Sequence, residues 1–113
     1  MNDSNQSTIQ PILEPGEQIR VTARAMDAIL AVTDRRLVVA ASDRIALATP
    51  LTEIRRIQFD IERSRPATLV IVPEQARDEP QVLAIAPDEY HTAAEALVAL
   101  GLALTAHEEP QPA

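Results

Sequence analysis

No cysteine occurs anywhere in the 113 residues. This removes disulfides, thiolate metal sites and a thiol nucleophile together, and suits a reducing compartment. Lysine is also missing, so all ten bases are arginine. Phe59 and Tyr90 are the only aromatics, too few to stack nucleobases, and Gly16 and Gly101 are the only glycines, too few to build a phosphate-cradling loop. The two imidazoles are badly placed for chemistry. His91 falls in the first turn of a predicted helix, where a cation opposes the dipole, and His107 falls in the terminal segment. Ser42 and Ser64 sit in turns with no histidine placed beside them, so no catalytic, metal or cofactor-binding residue is assigned and the expectation is a protein that is not an enzyme. No run approaches the ~20 apolar residues of a membrane span. The polar opening Met1-Asn2-Asp3-Ser4-Asn5-Gln6-Ser7 lacks the basic and apolar regions of a signal peptide. The chain therefore reads as soluble and cytoplasmic.

What is present is acidic overall, with a formal net charge of −7. Such a charge argues against a protein that finds nucleic acid by long-range attraction. The charge is unevenly spread. All ten arginines lie between Gln18 and Arg77, flanked by acidic ends. A chain of this length forms one domain that buries roughly two thirds of its extended surface, so ordinary apolar packing is enough to hold it.

Turn signals recur at the short spacing of an all-β protein. In Leu30-Ala31-Val32-Thr33-Asp34-Arg35-Arg36-Leu37-Val38-Val39, two β-branched runs flank a polar tetrad that leaves no room for a crossover, which predicts a hairpin. Strands are expected at 18–25, 28–32, 36–41, 45–49, 54–63, 67–72 and 81–86. In the first, Ile19, Val21 and Ala23 alternate with Arg20, Thr22 and Arg24; in the fifth, Ile57, Phe59 and Ile61 alternate with Arg56, Gln58, Asp60 and Glu62. Pro50 ends the first four strands because it cannot donate to a ladder. From Pro87-Asp88 a helix is predicted, with Asp88 as its N-terminal acid or cap. Its apolar stripe runs through Tyr90, Ala94, Leu97, Leu100 or Gly101, and Leu104, widened by Val98 and Leu102. A close approach to the sheet would explain Gly101 inside it. Residues 1–11 read as a disordered lead-in and 106–113 as a disordered acidic tail.

Leu13-Glu14-Pro15-Gly16-Glu17-Gln18-Ile19, the hairpin, and Thr49-Pro50-Leu51-Thr52-Glu53-Ile54 follow one another as a "PGE" entry, a "TDRRL" hairpin and a "PLxxI" lead. That order resembles bacterial pleckstrin-homology-like and GRAM-like domains over residues 12–105. The resemblance implies a mainly β fold: a PH-like barrel of two near-orthogonal antiparallel sheets, about seven strands in all, capped by one C-terminal α-helix. In eukaryotic lipid-binding relatives the loop between strands one and two carries several bases; here it is Met26-Asp27, which argues against phosphoinositide binding.

Two surfaces invite a partner. Arg35 and Arg36 on the hairpin, with Arg44 on the next turn and Arg24 on the first strand, could grip an anion through planar guanidinium forks. The plainer alternative is that Asp34 caps the turn and pairs with an arginine. The second surface is apolar. Leu69-Val70-Ile71-Val72 is hydrophobic on both faces, and the alanine-rich outer faces at Ala40, Ala46 and Ala48 permit close approach by another chain. Ala46, Ala48, Val70 and Val72 are thus candidate interface residues, unless the sixth strand is simply buried between the sheets. Some bacterial PH-like relatives assemble through strand edges, which by resemblance favours homo-oligomerisation. The expected function is a protein–protein interaction or homo-oligomerisation module without nucleic-acid partner or small-molecule substrate; the alternative is binding to an anion or an acidic membrane surface.

Overall fold

The computed structural model describes residues 8–61 and 66–107. Seven strands follow in order: β1 (Ile19–Arg24), β2 (Ala28–Thr33), β3 (Arg36–Ala41), β4 (Arg44–Pro50), β5 (Ile54–Asp60), β6 (Ala67–Pro73) and β7 (Gln81–Ile85). One long helix, α1 (Tyr90–His107), closes the chain. The first four strands form one antiparallel meander and the last three a second. Among the described residues no ladder joins the two sheets, so they form an open stack, not the closed barrel expected.

The main core lies between the sheets and α1. Leu30, Val32, Leu37 and Val39 enter it from the first sheet, Leu69, Ile71, Leu83 and Ile85 from the second, and Ala93, Ala96 and Leu100 from the helix. Alanine at 93 and 96 lets α1 lie close against β1. Phe59 meets the start of α1 edge-to-face with Tyr90, their ring centroids 6.3 Å apart. The helix enters through a 3-10 turn, Pro87–Glu89, whose N-cap is Ala86 with no side-chain cap bond. Asp88 therefore lies inside the turn and does not cap it; with Glu89 it supplies negative charge where the dipole is positive.

Three β-bulges reset the alternation. An extra residue, Arg20, separates Ile19 from Val21 in the ladder with β2. Ile19 consequently joins a second apolar cluster, while Val21 packs against the main core; the expected common face for Ile19, Val21 and Ala23 is wrong by this one residue. Ala46 is the extra residue opposite Val39 and Ala40, and Arg55 the one opposite Val72 and Pro73. Beyond the bulge Ile57 and Phe59 face inward as expected, but β5 ends at Asp60 and Ile61 is 57% exposed. Arg63 and the rest of 62–65 lie outside the described residues.

The second cluster occupies the outer face of the first sheet. Ile29, Ala31, Val38 and Ala40 form its floor, and Ile9, only 1% exposed, sits upon it with Ile12 and Leu13. Most of the expected disordered lead-in falls on residues 1–7, outside those described. Residues 8–12, however, are a turn of helix ending in Gln10–Ile12. The cause is the spacing of Ile9, Ile12 and Leu13 at i, i+3 and i+4, which puts three apolar side chains on one face of a turn. The first sheet is thus apolar on both faces and covered on both. Of the expected disordered acidic tail at 106–113, residues 106 and 107 belong to α1, and 108–113 lie outside the described residues.

In α1 the buried positions are Ala93, Ala96 and Leu100, flanked by Leu97, Ala103 and Leu104. Ala94 is exposed, as are Val98 and Leu102, at 62% and 68%; they do not widen the buried stripe. Gly101 is also exposed. Beyond its chain neighbours and its own helix backbone, no atom lies within 4 Å of where its Cβ would be, so no close approach to the sheet explains it.

Candidate functional site

Glu14-Pro15-Gly16-Glu17 is a tight turn closed by the Glu17 amide donating to the Glu14 carbonyl at 2.9 Å. Gly16 has φ +81°, the value a type II turn demands at its third position and that glycine adopts without steric cost. This turn delivers the Glu17 side chain, with no solvent exposure, beneath the β2–β3 hairpin. Its carboxylate is fully matched there. Arg36 grips it with both faces of the fork, Nη2 to Oε1 at 2.7 Å and Nε to Oε2 at 3.0 Å. The Thr33 hydroxyl donates to Oε2 at 2.6 Å and the Glu14 amide to Oε1 at 2.9 Å.

These donors, Arg36 foremost, hold the Glu17 carboxyl at about 2, well below its ordinary value of 4.5, against the opposing effect of burial. The same contact raises the Arg36 guanidinium above its ordinary value. Arg36 also donates from Nη2 to the Ile12 carbonyl at 2.8 Å, fastening the N-terminal turn to the sheet. Thr33 Oγ1 accepts from the amides of Arg35 and Arg36 at 3.0 and 2.8 Å, and so shapes the hairpin itself. Asp34 and Gln18 complete the join: the Gln18 amide donates to Asp34 Oδ1 and the Asp34 amide to the Gln18 carbonyl, each at 3.0 Å. The "PGE" and "TDRR" segments are therefore each other's ligands.

Of the four candidate arginines, then, Arg36 is consumed internally. Arg35 makes one loose pair, 3.2 Å to Glu14, with both side chains substantially exposed. Arg24 and Arg44 lie at the opposite end of the meander, by the β1–β2 and β3–β4 turns. Six residues of β3 separate the two ends, about 20 Å at the rise of a strand. The structure does not bring the four together.

At the far end, Ser42 and Asp43 form a two-residue turn with φ 54° and 60°, left-handed values that favour glycine or asparagine. This turn and residues 24–29 line an open cleft of about 660 Å³. Arg24 shares it with Asp27 and Asp43, so its lining is of mixed sign. On β5, Arg56 donates to Gln58 at 3.0 Å and Gln58 to Asp60 at 2.8 Å. The two charges are thus linked along the strand through the neutral Gln58 amide.

The apolar candidates separate as clearly. Ala48 packs against the second cluster and Ala40 has no exposure, because the chain's own turn, not a second protein, approaches that face. Ala46 is an exposed bulge residue at an edge, a position that obstructs regular strand addition. Val70 and Val72 are half-buried on the outer face of the second sheet. Val70 lies in register with Val82, which is 67% exposed, and Ala84 follows two residues on. Sequence reasoning missed Val82. Its alternation with Leu83 and Ile85 carried the signal, but only the register shows that it continues the Val70 row.

Two stacked antiparallel sheets of four and three strands with one C-terminal helix constitute the fold of pleckstrin-homology domains. Among solved structures, the chain is similar to a DUF1696-family protein with a pleckstrin-homology domain from Shewanella loihica PV-4 (TM-score 0.60, 18% identity, covering 88% of this chain and 95% of that one). It is similar also to a pleckstrin-homology domain from Shewanella amazonensis SB2B (TM-score 0.58, 15% identity, covering 82% and 90%). No family model and no curated protein sequence matches the chain. The likeness is one of fold, that of bacterial PH-like domains.

Proposed function

We propose that this domain is a non-enzymatic protein–protein interaction module, and that its outer second-sheet face meets another copy of the chain. The observation that carries this reading is an asymmetry. The outer face of the first sheet is sealed by the chain's own Ile9, Ile12 and Leu13, whereas on the second sheet Val82 stands 67% exposed beside Val70, Val72 and Ala84 with no described element over it. A contiguous exposed apolar surface on a folded domain is best accounted for by burial against a second surface. Arg56, in register with Val72, and Asp60, in register with Thr68, border the patch and offer charges of both signs for self-complementary contacts.

The anion reading is weakened by the diversion of Arg36 into the Glu17 pair and by the separation of Arg24 from Arg35. What supports it is the cleft beside Arg24. Light scattering on the purified chain, with and without Val82→Glu, tests the first reading: an assembly larger than one chain that the substitution disperses is expected, and a wild-type monomer at millimolar concentration contradicts it. Salt-sensitive sedimentation with phosphatidylserine vesicles, lost in Arg24→Ala, would establish the second reading instead.

A further inference from the structure

The trough on the outer face of the first sheet shows what chemistry it accepts, because it is occupied. Ala31 and Ala40, without exposure, form a floor low enough for a helical turn to sit on, and Ile29 and Ile45 flank it. The occupant presents Ile9, Ile12 and Leu13 on one face of a turn, and its last carbonyl is held by Arg36 Nη2 at 2.8 Å. Everything that receives the turn lies after Gly16 in sequence; everything that is received lies before Pro15. The two parts are joined only by the Glu14-to-Glu17 turn, whose left-handed Gly16 is free to take other backbone conformations.

We propose that this trough is a docking site for residues 8–13 of a second copy, and that the intramolecular arrangement is its closed form. Exchange keeps every contact just described, since both partners of each are present in either copy, and it closes with two-fold symmetry. The energetic difference between closed and exchanged forms is therefore confined to the hinge and to the entropy of association. With a three-residue tether the effective concentration of the intramolecular arm is about millimolar or higher, so the closed form prevails in dilute solution. Opening the hinge gives up the Glu17-to-Glu14 backbone bond, the Glu14 amide bond to the carboxylate and the exposed Arg35–Glu14 pair, but leaves the Arg36–Glu17 fork intact. The proposal rests on self-association as the function but uses a surface separate from the Val82 face.

The chain has no cysteine, so introduced thiols report without background. Two variants, Ile9→Cys and Ala40→Cys, each carry one thiol, and both positions belong to the same cluster. Mixed in equal amounts near 1 mM, lightly oxidised and analysed by intact mass, they should give the mixed disulfide dimer at least ten-fold in excess of either homodimer. Homodimers in statistical proportion, or no dimer, would overturn the proposal. A second measurement uses Gly16→Val, which disfavours the closed turn and leaves the trough untouched. It should raise the dimer fraction at least ten-fold by light scattering, and an unchanged monomer counts against exchange. Adding Val82→Glu to the thiol pair separates the two surfaces: exchange that persists when the larger assembly is lost shows that the arm acts on its own.

Discussion

A carboxylate at position 17 with no solvent exposure must find donors for both oxygens or stay protonated, and it finds four hydrogen bonds, two of them from one guanidinium. Breaking a buried pair on one side strands the other charge. Glu17→Ala should cost about 3–5 kcal/mol in urea unfolding, whereas Arg35→Ala, which removes only the exposed pair with Glu14, should cost under about 1 kcal/mol. The buried pair and the exposed pair thus differ in consequence by several-fold. The pH dependence follows from the same carboxylate. Because Glu17 ionises at about 2 in the fold and near 4.5 otherwise, its contribution is complete above the higher value and fades as pH falls toward the lower. The stability gap between the wild type and Glu17→Gln should be widest at neutral pH and narrow steadily between pH 5 and pH 2. A gap that widens on acidification would refute the assignment.

Elements were legible wherever local pattern decided them. The hairpin, the proline stop at position 50, β3 and the start of α1 all followed from side chains that act within a few residues of themselves. What escaped was set by one-residue insertions and by long-range partners. The bulge at Arg20 inverted the face of Ile19, and an alternation count has no means of seeing an extra residue. The site escaped for a different reason: Asp34, Arg35 and Arg36 look like a charged surface turn, and only the fold brings Glu17 beneath them from 19 residues away. The polar surroundings of the short turn at 8–12 mask it in the sequence, although Ile9, Ile12 and Leu13 share a helical face. Two element-scale outcomes check this account. Ile9→Ala removes a fully buried side chain from that turn and should cost about 2–5 kcal/mol by thermal or chemical unfolding. Gly101→Ala adds a methyl into open space within α1 and should stabilise by about 0.5–1 kcal/mol, raising the melting temperature by a few degrees; a fall would restore the idea that the glycine serves a close contact.

At the scale of the molecule, the two sheets are treated unequally. The first is sealed on its outer side by the chain itself and latched there by Arg36; the second carries a row of valines that no described element covers. In the arginine hairpin, the most conspicuous charge cluster in the chain, Arg36 works inward as a clamp, and the surface proposed for a second chain is apolar. A dilution series followed by methyl resonances tests this division most directly. The methyls of Val70, Val72 and Val82 should shift with concentration while the amide of Arg36, whose contacts persist in closed and exchanged forms alike, stays fixed. Concentration-dependent shifts centred on the hairpin, with the three valines silent, would contradict it.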